Sequence, residues 1–212
     1  MRKYIVAITL LTICFVAFGQ NKSYTFVFLN NKPDKEVLSK EKSDSIMQGH
    51  MNNIGRLAKE GKLLAAGPFE GGGGIFILNT TSVDEANQWL ATDPGVQAKR
   101  WNIETLPFTI RFGSVCPVGE KYEMVFYQFV RFTPKSGITP LSIKQHGEFI
   151  QNLNQDGVVI AEGVFGEQQG SIIVLKADVT KETIESDAAV KFGVIQADMK
   201  KLYIAKGSFC EK

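Results

Sequence analysis

Histidine, cysteine and long apolar runs are all scarce in this chain. Two histidines and three cysteines occur among 212 residues. Neither H-x-x-x-H nor C-x-x-C spacing is present, so no local motif builds a zinc-type site. A G-x-S-x-G turn and a glycine-rich dinucleotide fingerprint are also missing, which removes two common enzyme signatures. Positive charge is not concentrated either: formal net charge is +2 and no Lys/Arg block stands out. A nucleic-acid binder needs a basic stripe, so no nucleic-acid partner is expected. No motif calls for a cofactor.

The one long apolar run lies at the start. Met1-Arg2-Lys3 is followed by Tyr4 to Phe18 without a charge, then by the small-x-small site Ala17-Phe18-Gly19. That is the pattern of a secretory signal peptide, and the run is short for a membrane span, which needs about 20 apolar residues. Residues 1–19 are therefore expected to be removed, leaving Gln20 as the mature start of a periplasmic or extracellular protein without a membrane anchor. A lipid anchor on Cys14 fits less well, because Ile13 is bulky where such a site wants a small residue. Cleavage leaves Cys116 and Cys210. An oxidising compartment makes them candidates for one disulfide; two buried thiols that never meet are the alternative, and the Cα separation decides between them.

What the chain does contain is an internal echo. His50, Ile54, Leu57, Gly61, Gly67 and Phe69 recur as His146, Ile150, Leu153, Gly157, Gly163 and Phe165, each 96 positions later (146 − 50). Asp93, Val96 and Gly113-Ser114-Val115-Cys116 recur 94 positions on as Asp187, Val190 and Gly207-Ser208-Phe209-Cys210. The pattern predicts a tandem duplication: residues 20–116, a connector at 117–120, and a more degenerate second copy at 121–212. Each copy reads as strand, helix, two short strands, helix, strand. Tyr24 to Leu29 and Tyr122 to Phe132 have strand composition, and apolar residues at helical spacing surround each histidine. Gly61 and Gly157 mark helix ends, and Ser82 and Thr180 are candidate caps for a second helix. The order is that of a ferredoxin-like βαββαβ unit. Such a unit leaves one apolar sheet face bare, so the expected fold class is α+β: two units packed sheet to sheet. The chain is then a monomer that imitates a dimer.

His50, the stretch Gly61-Lys62-Leu63-Leu64-Ala65-Ala66-Gly67-Pro68, the strand Ile75 to Leu78, Asp93-Pro94-Gly95-Val96 and Pro107-Phe108 resemble, in that order, the YciI-like family. The second copy keeps His146, Gly157 and Gly163, but has Val164 for the proline and Asp187-Ala188 for Asp-Pro. The resemblance implies a dimeric α+β barrel, here built from one chain, and kinship with muconolactone isomerases. It also implies a His–Asp pair at a cleft: His50 with Asp93, and less securely His146 with Asp187. The chemistry it suggests is proton transfer, elimination or isomerisation on a small organic acid or phenolic.

A histidine on the apolar stripe of a helix also serves as an ordinary packed side chain, and Asp-Pro is a common helix start. A non-catalytic module for a small ligand, or a purely structural barrel, therefore stands beside the enzyme reading. A proton-transfer site needs His50 and Asp93 in reach of each other. Glu70-Gly71-Gly72-Gly73-Gly74 runs from strand to strand, so it reads as a hairpin at the lip of a cleft and not as a phosphate cradle. Arg111 and Arg131 fall in strand patterns; an arginine reaching into the barrel could hold a carboxylate by a bidentate contact, but the expectation for both is that they face solvent.

Overall fold

The computed structural model describes residues 22–119, 121–167 and 169–211. The expected signal peptide, its Cys14 and Glu120 of the connector lie outside them. The first half runs β1 (Ser23–Asn31), α1 (Lys40–Lys59), β2 (Leu63–Pro68), β3 (Gly74–Leu78), α2 (Val83–Leu90), α3 (Pro94–Gln97) and β4 (Trp101–Phe112). The same order follows in the second half: β5 (Met124–Pro134), α4 (Pro140–Gln155), β6 (Val159–Phe165), β7 (Ser171–Leu175), α5 (Lys181–Glu185), α6 (Ala188–Lys191) and β8 (Ile195–Ala205).

Local signals explain the helix starts. Ser39 accepts from Lys42 N at 3.3 Å and Ser82 from Glu85 N at 3.2 Å, satisfying amides that a helix start leaves bare. Thr139 and Ser142 cap α4 reciprocally. Thr180 begins α5 without a side-chain cap bond, unlike the expectation for it. Gly61 and Gly157 follow α1 and α4 at φ 69° and 68°.

All eight strands form one antiparallel sheet in the order β2-β3-β1-β4-β6-β7-β5-β8. The halves join where β4 pairs with β6, and the outer strands meet again at the Phe69–Leu202 bridge, closing the sheet into a barrel. Inside it Phe26, Phe28, Ile77 and Phe108 of the first half meet Phe129, Phe165, Ile172 and Leu202 of the second. The Phe26 ring lies 5.2 Å from Phe108 and 5.4 Å from Phe165. The alternate positions face outward and carry the helices: Val27, Leu29 and Phe76 under Leu57 of α1, and Val130, Phe132 and Ile173 under Ile150 and Leu153 of α4. Phe26, Phe76, Phe108, Phe129 and Phe132 are fully buried, at about 1.5–3 kcal/mol each. Their sum exceeds what any single cross-link adds, so packing makes the barrel and the Cys116–Cys210 disulfide, with Cα atoms 5.3 Å apart, staples it.

Arg131 corrects one expectation. It shares a face with Tyr127 and Phe129 and so points into the barrel, not to solvent. Its guanidinium bonds both Glu104 oxygens at 2.6 and 2.7 Å and lies 4.3 Å over the Phe28 ring. Period-two alternation tells which residues share a face but not which face is inside. Arg111 is exposed, as expected.

Candidate functional site

Packing of α1 on β1 and β3 sets a buried stripe of His50, Asn53 and Leu57 at helical spacing. The partner of His50 comes from the one-turn helix α3. Asp93 caps it, accepting from Gly95 N at 2.8 Å and Val96 N at 3.2 Å, with Pro94 in the first turn. Pro94 rests on Gly49, where a Cβ would come within 2.9 Å of its ring, so α1 and α3 touch directly. That contact brings His50 Nδ1 to 2.8 and 3.0 Å from the Asp93 oxygens. Gly95 is required by Trp101: a Cβ there would lie 2.5 Å from the indole. The indole in turn sits 4.8 Å from the imidazole, and Phe76 stacks nearly parallel to it at 5.8 Å. The Asp-Pro-Gly run thus caps a helix, docks it on α1 and clears room for Trp101.

Asp93 is fully buried. Burial alone would raise its pKa, but the hydrogen bond of His50, its charge when the ring is protonated, and bonds from Asn53 and Val96 outweigh it and hold the carboxyl below its ordinary value. An ionised carboxylate can only accept, so Nδ1 of His50 carries the hydrogen; in the neutral ring Nε2 then keeps its lone pair. Nε2 makes no hydrogen bond among the described residues. Asn53 donates to Asp93 at 3.0 Å because its own carbonyl is held by Arg56 at 2.7 Å and Thr92 at 3.1 Å. Sequence reasoning missed Asn53 and Trp101. Asn53 had a signal, being a polar residue on the same helical stripe three positions after His50.

His50 lines a cleft of about 900 Å³ between α1 and β2, with Val118 and Tyr122 of the connecting stretch as its far wall and Gly72 and Gly73 of the β2–β3 hairpin at its lip. The cleft lies against a seam that does not zip. Between β4 and β6 the ladder runs from Phe108 to Phe112; between β2 and β8 it stops after Phe69–Leu202. Phe69 N–H donates to Gly73 on the β3 side, so by alternation residue 68 should donate toward β8. That residue is proline, which has no amide hydrogen. Beside it, Gly67 lies so close to the Tyr203 carbonyl that a Cβ would come within 2.5 Å.

The second pair also assembles: His146 Nδ1 lies 2.5 Å from Asp187, which caps α6 through Ala189 N at 2.9 Å. Its surroundings differ. Phe149 stands where Asn53 does, Val164 where Pro68 does, and half-buried Glu162 where Ala66 lines the first cleft. Burial pushes the Glu162 carboxyl up, against the pull of Arg111 and His146 nearby. Among the described residues no group of three or more His, Cys, Asp or Glu side chains is placed to hold a metal, and no helix is long and apolar enough to cross a membrane.

A closed antiparallel barrel with helices outside, built from ferredoxin-like halves, defines an α+β barrel protein. Residues 24–106 match the family model of the YCII-related domain. The chain is also similar to a crystal structure of a proposed monooxygenase from Fusobacterium nucleatum subsp. nucleatum, at 12% identity and a TM-score of 0.48, over 87% of this chain and 92% of that one. No curated protein matches it.

Proposed function

We propose that the cleft along α1 is the site of general-base chemistry on an organic acid or phenol, with His50 Nε2 taking the proton and Asp93 orienting the ring. The observation that carries this reading is the division of labour on one imidazole: Nδ1 bound to a buried carboxylate, Nε2 unpaired in a ring that lines a cleft. Phe76 and Trp101 keep the ring from swinging, which holds a base in register with its substrate. Proton abstraction leading to elimination or isomerisation follows from such a base, in keeping with the resemblance of the first half. The second half completes the barrel, and His146–Asp187 fixes α4 to α6. The recurring element order supports an origin by duplication, and the Cys116–Cys210 disulfide supports an exported protein.

The test is solvent exchange. A panel of keto acids of short and long alkyl chain, unsaturated lactone acids and phenols is incubated in deuterated water and read by NMR for deuterium at carbon. Turnover with at least one compound should fall by about 10²–10⁴-fold in His50→Gln. Exchange that persists in His50→Gln contradicts the assignment.

A further inference from the structure

We propose that this cleft takes an elongated amphipathic carboxylate, a single apolar chain ending in an anionic group, and not a compact acid. The inference rests on the preceding reading only in placing the ligand in the same cleft.

Shape is the first argument. The lining positions on α1 run from Ser43 through Met47, His50, Met51 and Ile54 to Lys59. At 1.5 Å per residue, Ser43 to Lys59 spans about 24 Å. The volume of about 900 Å³ stands near the top of the usual range for small-molecule sites, about 300–1,000 Å³. A compact acid would leave most of such a groove wet and its apolar walls uncovered.

Charge is the second. Lys35, Lys59 and Arg100 line the cleft, and among the described residues no aspartate or glutamate does. None of the three forms an ion pair among the described residues, although lysines and arginines elsewhere in the chain do. Cations grouped along an apolar wall without counter-charges create a potential that draws an anion. Arg100 is tied by a 2.8 Å bond to the Glu36 carbonyl, beside Lys35, at the end of the groove where α1 begins. That end holds the carboxylate.

The walls supply the third. Met47, Met51 and Tyr122 are 41%, 56% and 56% exposed, so the cleft presents large apolar side chains to solvent. Methionines are flexible enough to follow an alkyl chain. From Lys35 and Arg100 the chain would pass the His50 ring and end near Leu64 and Tyr122.

Calorimetry on the mature chain tests this, with butanoate, octanoate, dodecanoate and hexadecanoate below their micelle concentrations and dodecanol as the neutral control. Affinity should rise about fourfold per added methylene between octanoate and dodecanoate, from about 0.8 kcal/mol per methylene at about 1.4 kcal/mol per decade. The double variant Lys35→Gln/Arg100→Gln should weaken dodecanoate about tenfold and leave dodecanol unchanged. Should that variant misfold, salt takes its place: raising ionic strength should weaken dodecanoate and not dodecanol. Equal affinity for butanoate and dodecanoate, or dodecanol binding as tightly as dodecanoate, overturns the proposal. Because the readout is binding, its failure leaves the His50 base to the exchange assay. Chain-length dependence without any exchange overturns the base and leaves the ligand class standing.

Discussion

Pro68 in β2 and Val164 in β6 stand at matching places, 96 positions apart, and only Val164 has an amide hydrogen there; on the β2 side the donor to the other half is Glu70 N, 2.9 Å from Lys201 O, just beyond the strand. Both halves hold a His–Asp pair, so the pair alone does not distinguish them. The interrupted seam does, since the large cleft lies against Leu63–Pro68.

Pro68→Val restores the missing donor opposite Tyr203. Hydrogen exchange should show the new amide at position 68 protected at least about fivefold over an exposed amide, the equivalent of one net hydrogen bond of about 1 kcal/mol. Binding in the cleft should weaken as the seam draws in. An amide that exchanges freely contradicts the role given to the proline.

Much of this was legible in the residues. The 96-residue echo placed the histidines on equivalent helices, and Asp-Pro-Gly marked the start of α3. The disulfide partners followed from setting Cys14 aside with the expected signal, although only coordinates supply their separation. What the chain did not declare were relations across the barrel. Arg131 has the same strand context whether it faces in or out. Pro68 reads as the end of a strand until β8 is known to lie beside it. The walls contributed by Val118 and Tyr122 come from a stretch far in sequence from His50. Such contacts depend on how the halves close, which periodicity within one element does not encode.

Asp93 links the site to acid stability. Folding holds its carboxyl below the ordinary 3.8, so the ionised form favours the fold. That contribution is complete above the ordinary value and is lost as pH falls through the lower folded value. Asp93→Asn removes the carboxylate that accepts from His50, Asn53 and the start of α3 and should cost about 1.5–3 kcal/mol near neutral pH. In urea unfolding at about pH 7 and about pH 3, the gap between wild type and variant should narrow on the acid side. A gap that stays constant contradicts an ionised Asp93 in the fold.

The disulfide closes a loop across a sequence separation of 94 residues. Constraint of so long a loop in the unfolded chain is worth about 4–5 kcal/mol, so Cys116→Ser/Cys210→Ser should lower the unfolding free energy by roughly that amount while keeping the far-UV spectrum of the barrel. A loss of secondary structure instead would mean that the cross-link, and not the phenylalanine core, makes the fold.

The central claim is that His50 presents an unprotonated Nε2 to the cleft because Asp93 holds the hydrogen on Nδ1. A long-range proton–nitrogen correlation spectrum reads this directly, and with only two histidines in the chain a His146→Gln sample assigns it. At neutral pH the His50 ring should show a protonated Nδ1 and a bare, pyridine-type Nε2 that shifts when dodecanoate is added. A hydrogen on Nε2, or on both nitrogens, would contradict the account.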